Sequence, residues 1–421
     1  MTHSDTDVII AGGGLAGATL ALALARVAPA LRVTVVEAFP LSADALPESY
    51  QPSYDARSTA LAWGSRLVFE ELGLWSRLSE HATPIRHIHV SDRGRFGATR
   101  LAASEYRQEA LGYVVDNRWM GLSLMRELLD TDTQWHAPAE VTGMEPCQHG
   151  VSVAVKTGDD TRTITGQCLI VADGGRSGLR EKLGFQPRHH GYEQNALIAN
   201  VSTSDSHQFT AFERFTDTGP MALLPHGSPS RAGHQSALVW TLSDKELGEV
   251  LEMSGGDKCQ RLQERFGWRL GRFTRIGECN HYPLKLTTVD EPVRPGVALV
   301  GNAAHALHPV AGQGFNLALR GLMTLAEQFR LAAEQGLSPG DFHILRRYHE
   351  LHSPDWKQTV QFSDSLIRIF GKSPAPVAAA RDAGLVGLDL LPGAKRLFAR
   401  KAMGTGGRRA VINGPAASGK I

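Results

Sequence analysis

The sequence lacks an excess of either charge, and it lacks paired cysteines. Its 421 residues include 44 Lys and Arg against 43 Asp and Glu, which leaves a formal net charge of +1. This balance gives no indication of a nucleic-acid partner. The four cysteines lie far apart and form no CxxC pair, which predicts reduced thiols in a cytoplasmic protein. We therefore expect neither a disulfide framework nor a metal site.

Long apolar runs are also missing, with one exception. Residues 8–25 carry no charge over a length of about 18 residues, at which a membrane span becomes possible. Three consecutive glycines interrupt this stretch at 12–14, and the acidic residues Asp5 and Asp7 precede it where a signal peptide requires positive charge. We therefore expect a protein that is soluble or attached to the membrane surface.

The stretch around these glycines instead predicts a βαβ unit. An apolar strand at 8–11 is followed by a glycine turn, an Ala/Leu-rich helix at 18–27 and a second strand at 33–37. Such an opening indicates a parallel sheet. Farther along, short alternating strands between 192 and 240 predict a separate antiparallel sheet.

The glycine turn fits the dinucleotide motif GxGxxG. Gly12 permits the tight turn, Gly14 lets the backbone approach a pyrophosphate, and Gly17 lets helix and strand pack closely. The phosphates would lie at the helix N-terminus, where free N–H groups favour anions. Glu37 ends the second strand, 20 residues after Gly17, where a carboxylate can accept from ribose hydroxyls. This motif predicts a bound dinucleotide and does not distinguish FAD from NAD.

A second motif, DGxxSxxR, begins at Asp173, directly after a predicted buried strand at 168–172. It resembles the second fingerprint of the FAD-dependent monooxygenases that are similar to para-hydroxybenzoate hydroxylase. The resemblance implies that Asp173 and Gly174 contact the flavin and the nicotinamide nucleotide that passes it. The alternative is an ordinary turn in which Ser177 caps the next helix.

The third motif, GNAAHALHPVAGQGFN, runs from Gly301 to Asn316 after a predicted strand at 297–300. It resembles the flavin-binding GD motif of the same superfamily, extended by a PxxGQGxN turn. Gly312 and Gly314 remove side chains from the backbone, so N–H groups can approach a planar ring, and the following helix directs its positive end there. By resemblance, Pro309 and Gly312 shape the oxygen site. The other candidate cofactor-binding residues of the motif are Gly301, Asn302, Gln313, Phe315 and Asn316.

One position departs from the family pattern. Relatives usually carry Asp after the first glycine of the third motif, and this chain has Asn302, which can form hydrogen bonds but has no charge. GNAA followed by LHPVAGQGFNLALR closely resembles one branch, the 2-octaprenyl-6-methoxyphenol hydroxylases of ubiquinone biosynthesis, and Phe315 favours the same branch. The segments DARSTAL at 55–61 and FERF at 212–215 are similar to this family as well. On that resemblance Arg57 is a further candidate cofactor-binding residue.

The resemblance implies an FAD-dependent monooxygenase that hydroxylates a prenylated phenol. NAD(P)H would be a transient co-substrate that reduces the flavin in a groove, and dioxygen would supply the oxygen atom. The sequence indicates no catalytic base. Three alternatives remain open: a hydroxylase of another aromatic substrate, a flavin reductase or dehydrogenase that uses no oxygen, and a non-catalytic FAD-binding assembly subunit. NAD(P)H-dependent flavin reduction would distinguish an enzyme from the assembly subunit.

The predicted fold class is α/β, with a Rossmann-like FAD-binding domain, an inserted antiparallel-sheet substrate domain and a helical C-terminus. Because the sheet patterns alternate along the chain, the FAD-binding domain is expected to be discontinuous. The predicted segments are 1–85, 105–185 and 280–345 for the FAD-binding domain, 86–104 and 186–279 for the substrate domain, 346–404 for the C-terminal helices, and 405–421 for a disordered tail.

The C-terminal region has no acidic residue from Gly393 onward. Its mixture of basic and apolar residues is typical either of a solvated surface helix or of an element that docks on a membrane or a partner protein. Under the docking hypothesis, the protein associates peripherally with the cytoplasmic face of the inner membrane, directly or through a ubiquinone-biosynthesis complex. The residues concerned are Lys395, Arg396, Leu397, Phe398, Arg400 and Lys401.

Overall fold

The computed structural model describes residues 5–40, 57–307, 312–370 and 375–412. The strands of these parts are β1 (Val8–Ala11), β2 (Val33–Val36), β3 (Ser58–Ala62), β4 (Ala82–Ile85), β5 (His87–Asp92), β6 (Ala98–Ala102), β7 (Gly112–Asp116), β8 (Gln134–His136), β9 (Glu140–Cys147), β10 (Gly150–Thr157), β11 (Asp160–Gly166), β12 (Cys168–Val171), β13 (Arg188–Thr203), β14 (Thr210–Thr216), β15 (Gly219–His226), β16 (Gln235–Ser243), β17 (Phe273–Ile276), β18 (Asn280–Thr288), β19 (Val293–Arg294), β20 (Val297–Leu299) and β21 (His305–Ala306). The α-helices are α1 (Leu15–Val27), α2 (Trp63–Glu71), α3 (Trp75–Leu78), α4 (Asn117–Leu128), α5 (Leu179–Lys182), α6 (Asp244–Glu252), α7 (Gly255–Phe266), α8 (Gln313–Glu334), α9 (Phe342–Phe370), α10 (Ala375–Leu390) and α11 (Pro392–Ala402).

A parallel sheet forms the centre of the FAD-binding part, in the order β19-β20-β12-β1-β2-β8, with only the β19 edge pairing antiparallel. Alternate residues of β1 serve two cores. Val8 and Ile10 pack with helices α1, α4 and α8, whereas Ile9 and Ala11 pack with the β9–β11 sheet. Strands β1, β2 and β12 are buried along their whole lengths because both faces of the sheet are covered.

The elements predicted for this part are present, with shifted ends. The first helix begins at Leu15 rather than at residue 18. The helix of the third motif runs over 22 residues from Gln313 to Glu334, so it begins inside the glycine turn. Strands β10 and β11 pair antiparallel as a hairpin. Glycines at both helix starts explain the shifts, since a residue without a side chain can serve as the N-terminal boundary where a polar cap is absent.

The antiparallel sheet is built from two parts of the chain. Its order is β21-β18-β13-β16-β15-β14-β5-β6, with β17 paired to β13. Strands β5 and β6 come from the early insertion, and β14 pairs parallel to β5. Strand β18 belongs to this sheet, although the predicted boundary assigned 280–345 to the FAD-binding domain. Helices α6 and α7 cover one face, with Phe266 and Trp240 in their shared core. The predicted α/β fold class with an inserted antiparallel sheet is confirmed.

The C-terminal part packs on the rest of the molecule as far as it is described. Ile412 is buried, the Val411 N–H donates to Glu327, and Arg408 pairs with the same carboxylate. Residues 405–412 therefore differ from the expected disordered tail, and 413–421 lie outside the described residues. Among the described helices, none combines the length and the hydropathy needed to cross a membrane.

Candidate functional site

One large cavity, of about 1800 Å³, joins the carboxyl ends of the parallel strands to a face of the antiparallel sheet. Gly17 does not line it, and Pro309 lies outside the described residues. All other candidate cofactor-binding residues contribute to its wall: Gly12, Gly14, Glu37, Arg57, Asp173, Gly174, Gly301, Asn302, Gly312, Gln313, Gly314, Phe315 and Asn316. The three motifs, distant in sequence, therefore meet at one cavity.

The glycines of the first motif have different surroundings. A Cβ atom added to Gly14 would meet no atom within 4 Å, and this residue lines the cavity. A Cβ on Gly17 would lie 1.8 Å from the carbonyl oxygen of Gly12. Gly12 itself has φ +104°, in the region that favours glycine. Gly14 therefore leaves room for a ligand at the start of α1, whereas Gly12 and Gly17 permit the turn.

Glu37 holds the same turn from the end of the neighbouring strand. Its carboxylate accepts a hydrogen bond from the Gly13 N–H at 2.6 Å and from the Phe39 N–H at 2.9 Å. A carboxylate has about four acceptor positions, so these bonds leave capacity for ribose hydroxyls in the cavity. Glu37 thus fixes the glycine turn as well as lining the site.

We expect Glu37→Ala to weaken FAD binding by about tenfold to a hundredfold, because a hydrogen bond to a charged group contributes roughly 1.5–3 kcal/mol. Titration of apoprotein with FAD, followed by flavin fluorescence, measures the change. Glu37→Gln is the matched control, since it keeps the acceptor oxygen, and we expect a smaller loss. An FAD affinity unchanged in Glu37→Ala would remove this residue from the site.

The second motif is a compact turn organised by Asp173. Its carboxylate accepts from the Gly175 N–H at 2.8 Å and from the Ser177 hydroxyl, which in turn accepts from the Leu179 N–H at 3.1 Å. Ser177 therefore takes part in the local turn, but the N-cap of α5 is Gly178 and not Ser177 as in the alternative interpretation. Asp173 and Gly174 still face the cavity, so this turn also presents groups to a ligand.

The last residue of the second motif has a role that sequence reasoning missed. Arg180 is only 4% exposed, and its guanidinium donates to the carbonyl oxygen of Ala303 at 2.9 Å. Ala303 lies inside the third motif, so this bond connects the two flavin motifs. Its partner is 123 residues away, and a backbone carbonyl leaves no signal in the sequence.

Asn316 forms four hydrogen bonds, of which two connect the third motif to β3, one connects it to α2 and one lies within the motif. Its Oδ1 accepts from the Ala62 N–H at 2.8 Å and the Ser65 hydroxyl at 2.7 Å. Its Nδ2 donates to the carbonyl oxygens of Ala60 at 2.8 Å and Gly312 at 2.7 Å. These bonds use the hydrogen-bonding capacity of the amide. Asn316 therefore positions the Gly312 turn against β3, and because it also lines the cavity its contact with the cofactor stays a prediction.

Arg57 and Tyr282 lie on the side of the cavity formed by β18. Burial raises the pKa of the Tyr282 phenol, and the positive charge of Arg57 partly opposes that rise. Both residues line the cavity. The sequence suggested Arg57 only through its family resemblance and gave no indication of Tyr282.

Two buried histidines lie within and next to the third motif. His305 in β21 stacks on Trp356 with ring centroids 4.4 Å apart, and His352 of α9 stacks on Tyr348. Burial lowers the pKa of His305 to about 3 and that of His352 to about 4. Both imidazoles are therefore neutral at physiological pH, and no group of residues in the described parts of the chain could hold a metal ion.

These histidines predict acid sensitivity of the cofactor site. Their pKa values in the folded protein are below the usual value near 6.5, so the unfolded chain binds more protons as the pH falls through that value. We expect the free energy of unfolding to drop by roughly 1–2 kcal/mol per histidine between pH 7 and 5. Denaturant titrations at several pH values, with FAD release recorded in parallel, check this. A slope that is the same in His305→Phe would contradict the assignment.

The antiparallel sheet supplies an apolar wall on the far side of the cavity. Near β3 and β7, Ala211 packs with Ile85 and Leu224. Toward the C-terminal helices, Phe215 packs with Val90 and Leu385. These two groups, called here the inner cluster and the outer cluster, follow each other along β14. The cavity therefore continues from the flavin motifs into an apolar channel under α9, α10 and α11.

Comparison with known proteins shows the family of this chain. Residues 5–363 match the FAD binding domain family. Over 402 residues the chain is 36% identical to the ubiquinone hydroxylase UbiL of Rhodospirillum rubrum, covering 95% of this chain and 90% of that protein. It belongs to the FAD-dependent ubiquinone hydroxylases. The 3-demethoxyubiquinol 3-hydroxylase of Escherichia coli is 27% identical, covering 96% of this chain and 100% of the relative.

Solved structures show the same fold. The p-nitrophenol 4-monooxygenase of Pseudomonas putida superposes with a TM-score of 0.77 at 18% identity, covering 96% of this chain and 99% of that chain. Its family membership makes the chain a flavoprotein aromatic monooxygenase that uses FAD, NAD(P)H and dioxygen. The cavity fits FAD, because Gly14 leaves space at the start of α1 and Glu37 lies beside it.

Proposed function

We propose that this hydroxylase adds oxygen to the phenol ring of a prenylated intermediate of ubiquinone biosynthesis. The observation that supports the proposal is the continuous cavity, in which the flavin motifs meet an apolar channel toward the C-terminal helices. A prenyl chain suits such a channel, because each buried CH₂ contributes about 0.8 kcal/mol. The similarity to the ubiquinone hydroxylase and to the 3-demethoxyubiquinol 3-hydroxylase supports the same substrate class.

The chain's own residues would bind, orient and enclose the reactants. Gly12, Gly14 and Glu37 would hold the dinucleotide end of FAD, and the Gly312–Phe315 turn would lie against its ring. When bound, FAD accepts electrons from NAD(P)H and uses dioxygen to supply the transferred oxygen atom. The apolar walls formed by the inner and outer clusters would help to exclude water from this region. Exclusion of water protects oxygen transfer from unproductive side reactions.

The test combines a spectrum with an activity assay. Purified protein should show flavin absorbance and release FAD rather than FMN. NAD(P)H oxidation should be stimulated by a prenylated phenol and should yield the hydroxylated ring, and a deletion strain should accumulate the unhydroxylated intermediate. Flavin reduction without hydroxylation of any phenol would favour the reductase alternative, and hydroxylation only of phenols without a prenyl chain would overturn the substrate.

We propose that the protein docks on the membrane surface through the junction of α10 and α11, with a set of residues that differs from the one expected from the sequence. Leu390, Leu391 and Leu397 are 72%, 60% and 61% exposed, and they surround the junction of α10 and α11 near the outer end of the channel. Phe398 instead packs inward against the outer cluster, and Lys395 pairs with Glu105 at 3.1 Å. The exposed leucines would enter an anionic bilayer, where basic neighbours contribute on the order of 1 kcal/mol each. Those exposed basic residues are Arg396, Arg400 and Lys401.

We expect simultaneous replacement of Leu390, Leu391 and Leu397 by Ser to abolish flotation with phosphatidylglycerol vesicles, and high salt to weaken flotation of the unaltered protein. Leu129→Ser, at an exposed leucine on another surface, is the matched control. Point substitutions are preferable to removing α11, because Ala399 and Met403 of this region are buried and the Gly64 N–H donates to the Met403 carbonyl at 2.8 Å. Equal flotation of all variants would exclude this surface as the docking site.

A further inference from the structure

Glu213 places a carboxylate on the apolar wall of the cavity. It lies on β14 between Ala211 and Phe215, and all three residues line the cavity. The intervening residue Phe212 packs on the opposite face of the sheet, against Phe266 of α7 at 5.7 Å between ring centroids. This alternation follows from the two-residue period of a strand. The half-buried Glu213 side chain is therefore directed to the cavity and not to the core under α6 and α7.

The two residues directly beside Glu213 on the neighbouring strands are apolar. In register it lies beside Val90 of β5 and Ala222 of β15. A charge beside apolar side chains loses hydration, which costs free energy unless polar partners compensate. A carboxylate can accept several hydrogen bonds, so a contact with the protein leaves acceptor capacity for a ligand. Because Glu213 lines the cavity, its carboxylate can also contact a polar group of a ligand there.

Its place along β14 indicates which part of a ligand it meets. Ala211 belongs to the inner cluster, which adjoins β7 and, through β7, strand β3. Phe215 belongs to the outer cluster, next to α10. Each is two residues, or about 6–7 Å, from Glu213. A phenol with an apolar tail in the outer channel would place its polar head near the boundary between the clusters.

We propose that Glu213 accepts a hydrogen bond from the phenol hydroxyl and thereby selects and orients the ring. This inference rests on the proposed function, because it assumes a prenylated phenol in the cavity. An anionic acceptor strengthens the hydrogen bond and favours electron donation from the phenol oxygen into the ring, which makes the ring carbons better nucleophiles. An O-methylated ring oxygen has no proton to donate, so Glu213 would discriminate against it.

Binding of two matched ligands tests the contact. A short-chain prenylated phenol and its O-methyl ether are titrated into the FAD-loaded protein, and the perturbed flavin absorbance gives each Kd. We expect the unaltered protein to prefer the phenol by about tenfold to a hundredfold, as for a hydrogen bond to a charged group. In Glu213→Ala the ratio should approach 1. Glu213→Gln, which keeps the size and one acceptor oxygen, should give an intermediate ratio.

Turnover supplies a second readout. In Glu213→Gln the hydroxylated product per NAD(P)H consumed should fall while FAD content stays the same, and Glu252→Gln on α6 is an exposed carboxylate control. The inference is overturned if the unaltered protein binds phenol and ether equally, or if Glu213→Ala retains the preference. Failure of the proposed function has a different signature, namely no hydroxylation of any prenylated phenol by the unaltered enzyme.

Discussion

Gly14→Val is expected to yield a folded protein without FAD, whereas Gly17→Val is expected to prevent folding. The reason is the different space around each glycine. A side chain on Gly14 meets no protein atom within 4 Å and would project into the cavity, where the pyrophosphate belongs. A side chain on Gly17 would lie 1.8 Å from the Gly12 carbonyl oxygen, so the strand, turn and helix could not keep their arrangement.

Three measurements separate the two variants. Flavin absorbance after purification and after incubation with excess FAD reports binding, and circular dichroism reports the fold. For Gly14→Val we expect at least a hundredfold weaker FAD binding with unchanged secondary structure. For Gly17→Val we expect insoluble protein or a lost cooperative transition. A yellow Gly14→Val protein with normal FAD affinity would show that the cofactor does not lie against this turn.

Gly312→Val is expected to uncouple NAD(P)H oxidation from hydroxylation of the substrate. Gly312 precedes α8 with φ +60°, and an added Cβ would lie 3.1 Å from the Ala60 Cβ. A β-branched residue is strongly disfavoured at such a φ, so the turn must rebuild. Because Asn316 binds both the Gly312 and the Ala60 carbonyls, the change would spread to β3. The ring of FAD would lose its support, and dioxygen reduced there would be released as hydrogen peroxide instead of transferring an oxygen atom to the substrate.

The measurement is hydrogen peroxide formed per NAD(P)H consumed in the presence of the phenol substrate. We expect most of the NAD(P)H to yield peroxide in Gly312→Val and a small fraction to do so in the unaltered enzyme. Gly336→Val is the matched control, because Gly336 follows the other end of α8 with φ +67° and has no atom near its Cβ position. It shares the backbone strain but not the location. Full hydroxylation by Gly312→Val would refute the placement of this turn beside the reacting ring.

Local sequence patterns predicted the parts of the site that one segment can specify. The strand, turn and helix around Gly12 require glycines at fixed spacing, and the carboxylate of Glu37 must end the adjacent strand. These requirements come from backbone geometry within about thirty residues, the length of a βαβ unit. The α/β class followed from the hydrophobic patterns of the strands. Parallel strands that are buried on both faces read as continuous apolar runs, whereas antiparallel strands with one exposed face alternate between apolar and polar residues.

Contacts between distant segments could not be read in this way. Arg180 and Ala303 are 123 residues apart, and Asn316 and Ala60 are 256 apart. In both pairs one partner is a backbone carbonyl, which every residue has. Sequence reasoning gave Asn316 only as a candidate cofactor ligand and missed the bonds of its amide to β3, α2 and the glycine turn. Phe398 likewise turns inward because the outer cluster lies beneath α11.

The sequence by itself determined the family, the cofactor and the fold class of this hydroxylase, because each depends on motifs or periodic patterns whose own residues lie close together in the chain. The tertiary structure decided which side chains face the cavity and which maintain its walls. Glu213 illustrates the difference: its strand pattern indicates two faces, but only packing against α6 and α7 on one side identifies the other face as the cavity wall. Burial is a property of the assembled layers, so it becomes known only when the sheets and helices are placed together.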